Sequence, residues 1–500
     1  MENKSLWLKD IKYEKLESLN ENINTDVLII GGGLTGISTA YHLMNSNLNV
    51  TLIDSDKIGF GVSSRTTGKL TYLQELIYNK LESNFGYETS KKYLESQKYA
   101  IELVKNIVKK NNIDCDFTKS DSYTFTNNEC EIKNFKKEEK FLKKAKIKYG
   151  VTKDLPIKIK CEYAIKVSDT YIFHPVKYIM ALKKICLNRG IKMYENTKAV
   201  KLQNKKDYYI CYTSRSRIKA KIVVLCCHYP FFLIPGFIPL RTHIEKSYLS
   251  ASSISKTKNM NAITNTYPTK SIRYHNDKKG NNYILYVGNS HLLCDKLNRE
   301  KNYNDLISKV QKDINKTVDY CWCNHDLITD DNLPLIGRLS KNDKRLLIGT
   351  GYNTWGMTNA SLAGKILSDQ ILGRENEFAK IFVPYRNITL DKVKNLFVNL
   401  YCNCKGFFYP KIKKNHQWYK DNVRFENRHG KNVGVYIDEN KKEHVVRNLC
   451  PHMKCSLIFN MMDKTWDCPC HGSRFDVDGN CVQGPSTYSI KINGDNNENS

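Results

Sequence analysis

The alternation of apolar and polar stretches in the first part of the chain predicts strands joined by helices. The apolar run Thr25–Ile30 has the length of a strand, and a stretch with helical periodicity separates it from a second strand that ends at Asp54. Two further buried strands follow, Ile222–Leu225 and RLLIGTG, and the latter leads into the apolar helix ASLAGKILSDQIL. Strands that alternate with helices are typical of an α/β sheet.

Two other regions have a different pattern. Residues 245–295 alternate polar and apolar side chains, and the segment SIRYHNDKKGNNYILYVG predicts a hairpin with its turn at Asn276–Asn282. Near the C-terminus lie the short strands NVGVYIDE and EHVVRNL. Because a period of two indicates strands with one buried face, we expect an antiparallel sheet in the middle of the chain and a small all-β unit at its end.

The bulk properties of the chain limit its class. A chain of 500 residues is long enough for more than one hydrophobic core. It contains no run of eighteen apolar residues and no apolar segment near its N-terminus, so neither a transmembrane helix nor a secretory signal is predicted. Most of its 17 cysteines are isolated along the sequence, as in proteins of a reducing compartment. We therefore expect a cytoplasmic protein.

The net charge of +28 would suit a nucleic acid or an anionic membrane as partner. However, the chain is rich in Lys, Asn, Ile and Tyr together, which an AT-rich codon pool gives without selection for charge. The basic residues are also spread along the chain and form no helix-turn-helix, zinc-finger or RNP pattern. We therefore do not expect a nucleic-acid partner.

A glycine-rich turn joins the first predicted strand to the first helix. In this turn Gly31 permits a tight bend, Gly33 lets the backbone approach a pyrophosphate, and Gly36 lets helix and strand pack closely. Asp54, at the end of the second strand, is placed to accept hydrogen bonds from ribose hydroxyls. With strand, helix and acid all in place, a chance glycine-rich turn is the less favoured explanation, and the pattern predicts a dinucleotide site for FAD or NAD.

The residues after Asp54 favour FAD over NAD. A simple NAD-binding unit would begin another helix there, whereas this chain continues with a loop from Gly59 to Gly68 that contains two serines and the threonines Thr66 and Thr67. Hydroxyls and backbone amides at this point suit a second phosphate contact on the flavin side.

Two short loops near the C-terminus each contain cysteine and histidine. The first is Cys450-Pro-His452-Met-Lys-Cys455, and the second is Cys468-Pro-Cys470-His471, with fifteen residues between His452 and Cys468. Two thiolates and two imidazoles suit a [2Fe–2S] cluster that has one iron on sulfur and the other on nitrogen. They also satisfy a tetrahedral zinc ion, although zinc ribbons usually space paired ligands by two to four residues.

These two loops resemble those of the Rieske family. The resemblance implies that Cys450 and Cys468 bind one iron, that His452 and His471 bind the other, and that a disulfide joins the loops. That disulfide pairs Cys455 with Cys470. The chain departs from the family at Lys454, where glycine is common, so the turn is expected to be strained or reshaped.

The remainder of the chain, from about residue 5 to 390, resembles the D-amino-acid-oxidase-like (glycine-oxidase-like) FAD-dependent oxidoreductases, and most of all a bacterial subgroup with a C-terminal Rieske domain. The resemblance implies an α/β, Rossmann-like FAD-binding fold interleaved with an antiparallel substrate-domain sheet, plus a C-terminal all-β Rieske domain. The expected divisions are an FAD-dependent oxidoreductase domain, a linker or docking segment, the Rieske domain and a disordered tail, at residues 1–388, 389–417, 418–495 and 496–500.

The same resemblance implies further contacts with FAD. The backbone near Val200 is expected beside the adenine, and Gly351, Gly356 and Met357 at a helix N-terminus are expected beside the pyrimidine edge of the flavin. His228 could carry a proton, but a role in stabilising its turn is favoured. Arg273 could meet an anionic substrate group, although an exposed salt bridge is somewhat favoured. No catalytic acid or base is assigned.

Together these features predict an enzyme that exchanges electrons between a small organic substrate, FAD and a Rieske [2Fe–2S] cluster. By family resemblance the substrate is an amine or an amino acid, and an external carrier protein or a quinone takes the electrons. The alternative is a redox-sensing or interaction protein that uses FAD and cluster without steady turnover. A Rieske oxygenase is disfavoured, because no ligand triad for a mononuclear iron is evident.

Overall fold

The computed structural model describes residues 1–231, 238–295, 299–386 and 422–492, together with the pairs 397–398, 400–401 and 404–405. The helices in these residues are α1 (Leu34–Leu43), α2 (Ile77–Phe85), α3 (Tyr87–Lys110), α4 (Ile132–Lys144), α5 (Pro175–Asn188), α6 (Ile238–Arg241), α7 (Arg299–Ile314), α8 (Gly356–Ile371) and α9 (Ala379–Phe382). Among the described helices, none has the length and apolar character that crossing a membrane requires.

The strands of the FAD-binding part are β1 (Ile23–Ile30), β2 (Val50–Ile53), β3 (Lys69–Leu70), β4 (Thr118–Thr126), β5 (Gly150–Thr152), β6 (Tyr163–Ile172), β7 (Lys192–Tyr194), β8 (Ala199–Asn204), β9 (Tyr209–Thr213), β10 (Arg217–Leu225), β11 (Thr242–Ser253), β12 (Met260–Thr264), β13 (Ser271–Asn276), β14 (Asn282–Leu292), β15 (Tyr320–Thr329), β16 (Leu335–Arg338) and β17 (Leu346–Thr350). The C-terminal strands are β18 (Val423–Arg428), β19 (Lys431–Ile437), β20 (Glu443–Arg447), β21 (Ile458–Asn460), β22 (Thr465–Asp467), β23 (Arg474–Phe475) and β24 (Cys481–Gln483).

The first sheet has eight strands and follows the order β16-β17-β10-β1-β2-β7, with β8 and β9 attached to β10. Strands β2, β1, β10 and β17 are mutually parallel along this path, and the carboxyl-terminal half of each is buried. Parallel strands point their carboxyl ends to the same edge, so the residues that follow them, Gly31, Asp54, Cys226 and Gly351, come together there. In open α/β sheets this edge is where ligands bind.

The second sheet has nine strands in the order β15-β11-β14-β13-β12-β4-β6-β3, with β5 paired to β6. The predicted hairpin is confirmed, since Asn276 pairs with Asn282 at the start of its turn. Its pairings are antiparallel except for β12 with β4. The sheet is built from strands on both sides of the helices α2 to α5, so it is interleaved with the first sheet as the family resemblance implies.

The described C-terminal residues form a separate all-β unit, which confirms the predicted fold class. A three-stranded sheet, β18-β19-β20, and a four-stranded sheet, β21 to β24, enclose a core that contains Trp466, Phe459 and Phe475. Most of the predicted linker 389–417 and the whole tail 496–500 lie outside the described residues. The domain boundaries therefore stay a prediction.

Candidate cofactor and cluster sites

The turn between β1 and α1 is packed so closely that its glycines Gly31 and Gly36 leave no space for a side chain. Gly31 has a φ of +109°, and a Cβ at this position would lie 2.7 Å from the carbonyl oxygen of Cys226. A Cβ on Gly36 would lie 1.9 Å from the carbonyl oxygen of Gly31, so the first turn of α1 packs directly against the end of β1. This close packing exposes the N-terminus of α1 to the space above the sheet edge, which is the geometry of a pyrophosphate cradle.

Asp54 closes one side of this cradle. Its carboxylate accepts hydrogen bonds from the backbone N–H groups of Gly32 (2.6 Å) and Asp56 (2.9 Å). Burial raises its pKa to about 6. On the other side the hydroxyl of Ser63 accepts a hydrogen bond from the N–H of Leu34 at 3.0 Å, in the first turn of α1. The loop from Gly59 to Gly68 therefore folds back over the cradle.

A cavity of about 690 Å³ extends from this cradle, and most of the predicted FAD contacts line it. The predicted residues in its wall are Gly31, Gly33, Asp54, Thr66, Thr67, Gly356 and Met357. Gly36, Val200 and Gly351 are outside its lining. Gly36 acts through helix packing, Thr197 to Ala199 line the cavity in place of Val200, and Gly351 forms the turn between β17 and α8 with a φ of +71°. The backbone groups and hydroxyls in this part of the cavity wall therefore suit a bound dinucleotide.

The four predicted cluster ligands come together in two loops of the same shape. In each loop the N–H of the first cysteine donates to a carbonyl five residues later, Cys450 to Cys455 and Cys468 to Ser473, both at 2.8 Å. The position with positive φ is Lys454 in the first loop and Gly472 in the second. Lys454 therefore adopts the left-handed conformation that glycine adopts in the second loop, which accounts for the departure noted in the sequence.

The donor atoms fit an iron–sulfur cluster. Cys450 and Cys468 are both 1% exposed, and a hydrogen bond from Cys468 lowers the pKa of the Cys450 thiol to about 7. The rings of His452 and His471 lie 5.0 Å apart, and the Nδ1 atoms of both are buried without a hydrogen-bond partner in the structure. Burial lowers the pKa of both imidazoles, so they are neutral, as metal ligands must be. The disulfide Cys455–Cys470 joins the two loops.

The cluster loops and the dinucleotide cradle border the same cavity. His471 and the segment from Gly484 to Thr487 are part of its wall, as are Gly31 and Asp54 at the other end. The histidine side of the cluster site therefore faces the space in which the cofactor would lie.

Comparison with known proteins agrees with both sites. Residues 26–370 match the FAD dependent oxidoreductase (DAO) family, and residues 409–493 match the Rieske [2Fe-2S] domain. The chain belongs to the DAO family. It is an FAD-dependent oxidoreductase, and its cofactors are FAD and a [2Fe–2S] cluster.

Similar proteins include relatives of both full and partial length. The chain is 31% identical over 495 residues to the "Putative Rieske 2Fe-2S iron-sulfur protein YhfW" of Bacillus subtilis, which covers 97% of this chain and 96% of that protein. It is 23% identical to the "Gamma-glutamylputrescine oxidoreductase" of Escherichia coli, over 73% of this chain and 88% of that one. Glycine oxidase from Geobacillus kaustophilus has a similar fold, with a TM-score of 0.58 at 16% identity, covering 73% of this chain and 99% of that one.

The second sheet of this DAO-family protein places a pair of carboxylates in the cavity wall, which the sequence did not reveal. Glu245 on β11 pairs directly with Asp326 on β15, and both line the cavity together with Glu75. Like charges directly opposite each other destabilise a sheet. Burial, and next the charge of Glu245, raise the pKa of Asp326 to about 7. Because the pair of Glu245 and Asp326 destabilises the sheet, a role in ligand binding explains it better than a role in folding.

Lys57, Arg65, Lys69, Lys80 and Lys198 all line the cavity, and the surroundings of Lys69 differ from those of the nearby Arg273. Lys69 hydrogen-bonds to the hydroxyl of Ser271 and lies 5.7 Å from the ring of Trp355. Burial lowers the pKa of Lys69 to about 7. Arg273 is fully buried and donates to the carbonyl oxygens of Gly68 (2.7 Å) and Phe173 (3.1 Å). It is therefore neither an exposed salt-bridge partner nor a residue of the cavity wall, and both sequence-based expectations for it are wrong.

The C-terminal unit is held against the second sheet by buried charges, another feature that sequence reasoning missed. Lys246 on β11 donates to Asp467 at 3.2 Å, and both side chains are at most 1% exposed. Asp467 also accepts a hydrogen bond from Arg474 at 3.1 Å, and Arg474 donates to Asp463 at 2.6 Å. The hydroxyl of Tyr303 on α7 reaches Asp463 at 3.0 Å. These contacts fix where the cluster loops lie relative to the cavity.

Proposed function

We propose that this protein oxidises a small amine at FAD and passes the electrons singly through the Rieske cluster to an external one-electron carrier in the cytoplasm. FAD supplies the two-electron chemistry, and the cluster supplies one-electron transfer. FAD would be held by the cavity-lining residues Gly31, Gly33, Asp54, Thr66, Thr67, Gly356 and Met357. One iron would be bound by Cys450 and Cys468, and the other by His452 and His471.

One observation carries the proposal. A single cavity has the dinucleotide cradle in one wall and His471 with the Gly484–Thr487 segment in another. A protein that used the cluster only as a structural element would have no need to bring its histidine side to the cofactor space. The buried bond between Lys246 and Asp467 supports the same arrangement, because it fixes the cluster unit to the sheet that borders the cavity.

Three carboxylates in one part of the cavity wall support a cationic substrate. Glu75, Glu245 and Asp326 line it, and a bound ammonium group would relieve the repulsion between the two carboxylates that face each other across β11 and β15. Asn324, which also lines the cavity, has a buried Oδ1 without a hydrogen-bond partner in the structure and so offers an acceptor for an N–H group. A relative that is named for an amine, the E. coli gamma-glutamylputrescine oxidoreductase, supports the same class.

Lys69 supports a step that amine oxidation needs. An ammonium group must lose a proton before it can be oxidised, and a base with a pKa near the working pH is best suited to accept it. Burial brings the pKa of Lys69 to about 7, so a large fraction of its Nζ is neutral at that pH. In the proposed function Lys69 Nζ accepts the proton, and Ser271 holds the side chain in place.

The test is an anaerobic screen of the purified holoprotein. Primary amines, diamines and amino acids are added one at a time, with hydroxy acids as a chemically different control. We expect a diamine or a monoamine to bleach the flavin, followed by the EPR signal of a reduced Rieske cluster. Bleaching by hydroxy acids alone would overturn the amine assignment. Flavin bleaching without cluster reduction would overturn the electron route, and the absence of bleaching by every compound would favour the redox-sensing alternative.

A further inference from the structure

One turn of the chain contacts both cofactor sites. It follows β10 and runs from Cys226 to Tyr229. The carbonyl oxygen of Cys226 lies against Gly31 in the dinucleotide cradle, and the hydroxyl of Thr350 donates to the carbonyl oxygen of His228 at 2.6 Å. At the other end of the turn, the ring of Tyr229 lies 5.5 Å from the ring of His471 and 6.3 Å from that of His452, centroid to centroid. Two residues, Cys227 and His228, therefore lie between the cradle contact and the cluster contact.

The ring of Tyr229 is held in an apolar group. Ile244, Leu293 and Leu327 pack around it, and the same group receives the second cluster loop. A Cβ on Gly472 would lie 3.4 Å from both Ile244 Cδ1 and Leu293 Cδ2, so the backbone next to His471 is in contact with the residues that hold the tyrosine. The position of the ring relative to the cluster is thus fixed by packing on both sides.

The hydroxyl of Tyr229 does not explain why an aromatic residue is here. It is buried and makes no hydrogen bond within the described structure, which is a cost to folding rather than a gain. Tyr229 also lines the cavity, and its ring lies beside both histidines. The ring is thus the part of this cavity-lining residue that contacts the cluster ligands.

We propose that the ring of Tyr229 is the contact through which electrons pass between FAD and the histidine-bound iron. This inference rests on the proposed function for the existence of the two redox centres, but not on the identity of the substrate. In each transfer the cluster would gain one electron from the reduced flavin, and over two transfers the hydrogen that the flavin had taken up as hydride would leave to solvent as one proton. The tyrosine is unchanged at the end. Before a second transfer, a one-electron carrier protein must reoxidise the cluster.

Packing is the physical reason. The probability of electron tunnelling falls steeply across gaps that atoms do not fill, and a side chain in van der Waals contact with both centres shortens those gaps. Two other routes border the same cavity, a direct one from His471 and one through the backbone from Gly484 to Thr487. The test must therefore remove the ring while leaving those two routes in place.

The experiment uses full-length holoprotein and no substrate. A laser flash with a deazaflavin photoreductant delivers electrons to the bound cofactors, and the flavin and cluster absorbance bands report how fast an electron equilibrates between them. Wild type is compared with Tyr229→Phe, which keeps the ring, and with Tyr229→Leu and Tyr229→Met, which remove it. Tyr488→Leu is the control, because Tyr488 is an exposed aromatic of the same C-terminal unit.

We expect Tyr229→Phe and Tyr488→Leu to equilibrate at the wild-type rate, and both ring-removing variants to be slower by about an order of magnitude. The EPR spectrum of the cluster, the FAD content and the rate of direct reduction by dithionite should be the same in all variants, which separates a lost electron route from a damaged site. Equal rates in wild type and in whichever of the two ring-removing variants retains both cofactors would overturn the proposal. So would a rate for Tyr229→Phe as low as theirs. Failure of the amine screen would leave this measurement valid, since it needs no substrate.

Discussion

The dinucleotide cradle and the substrate side line the same cavity, yet they are built in different ways. The cradle consists of one strand, one glycine turn, one helix and one further strand, all between Ile23 and Asp54. The substrate side is assembled from residues far apart in the chain, such as Lys69, Glu245 and Asp326. The cluster site resembles the cradle, because its ligands lie in two short loops within about twenty residues. The lesson is that the cluster ligands and the glycine turn of the cradle are each set by a short stretch of chain, whereas the substrate side depends on strand register. The remaining FAD contacts, such as Gly356 and Met357, come from far along the chain.

If the cluster site depends only on its own two loops, removal of one ligand should abolish cluster binding without affecting FAD binding in the cradle. In Cys468→Ser we expect complete loss of the cluster, because a serine hydroxyl is a poor replacement for a soft thiolate. Iron analysis and EPR of the reduced protein would show the loss, while the FAD content should match wild type. The control is Cys481→Ser, a thiol of the same unit 3.2 Å from the carbonyl oxygen of Ser486. A cluster that survives in Cys468→Ser would contradict the proposed ligand set.

The reciprocal change tests whether the cradle is equally independent. Gly36→Ala places a methyl group 1.9 Å from the carbonyl oxygen of Gly31, so α1 must move away from β1 and the cradle must open. We expect loss of bound FAD with the cluster signal retained. Gly150→Ala is the matched control, since Gly150 is outside the cavity wall and its Cβ would meet only the Cβ of Lys166, at 4.0 Å. Full FAD content in Gly36→Ala would mean that close packing of helix and strand is not what forms the site.

The contact between the two units provides a third test. Lys246→Met leaves the carboxylate of Asp467 without one of its buried partners, and removing one member of a buried ion pair costs about 3–5 kcal/mol. Unfolding of the C-terminal unit in urea, followed by the cluster absorbance, should shift to lower urea concentration accordingly. In the control Lys464→Met an exposed pair with Glu439 is lost, which should cost about 0–1 kcal/mol. Equal shifts in the two variants would show that the buried pair does not hold the units together.

The smallest expected effect concerns the carboxylate pair of Glu245 and Asp326 and the pH dependence of amine binding. Asp326 has a pKa of about 7 in the folded protein, above its ordinary value, so it loses its charge as the pH falls through 7. The KM for a cationic amine should therefore rise as the pH is lowered through this range. Asp326→Asn should raise KM about tenfold at pH 8, equivalent to about 1.4 kcal/mol, and should flatten the pH profile. An unchanged KM with an unchanged profile would remove Asp326 from substrate binding.

The cradle, the cluster loops and the central hairpin were predictable from the sequence, because the residues that form each of them are close together along the chain. Gly31, Gly33 and Asp54 belong to one strand–helix–strand unit, so their spacing along the chain already sets their arrangement in space. The two cluster loops repeat the same turn, and the chain between them is a single hairpin of short strands. The hairpin at Asn276–Asn282 is confirmed for the same reason, since its partners are neighbours in sequence.

Only the tertiary structure decided which strands pair in the second sheet and which residues contact the C-terminal unit. Strand β4 pairs with β6 and with β12, which lies far along the chain. Arg273 was placed at a substrate or in solvent, yet it is buried against Gly68. The pairing of Glu245 with Asp326, and the approach of Tyr229 to His471, follow from strand register and packing across long separations. A period-two pattern states which face of a strand is buried, but not which strand lies beside it.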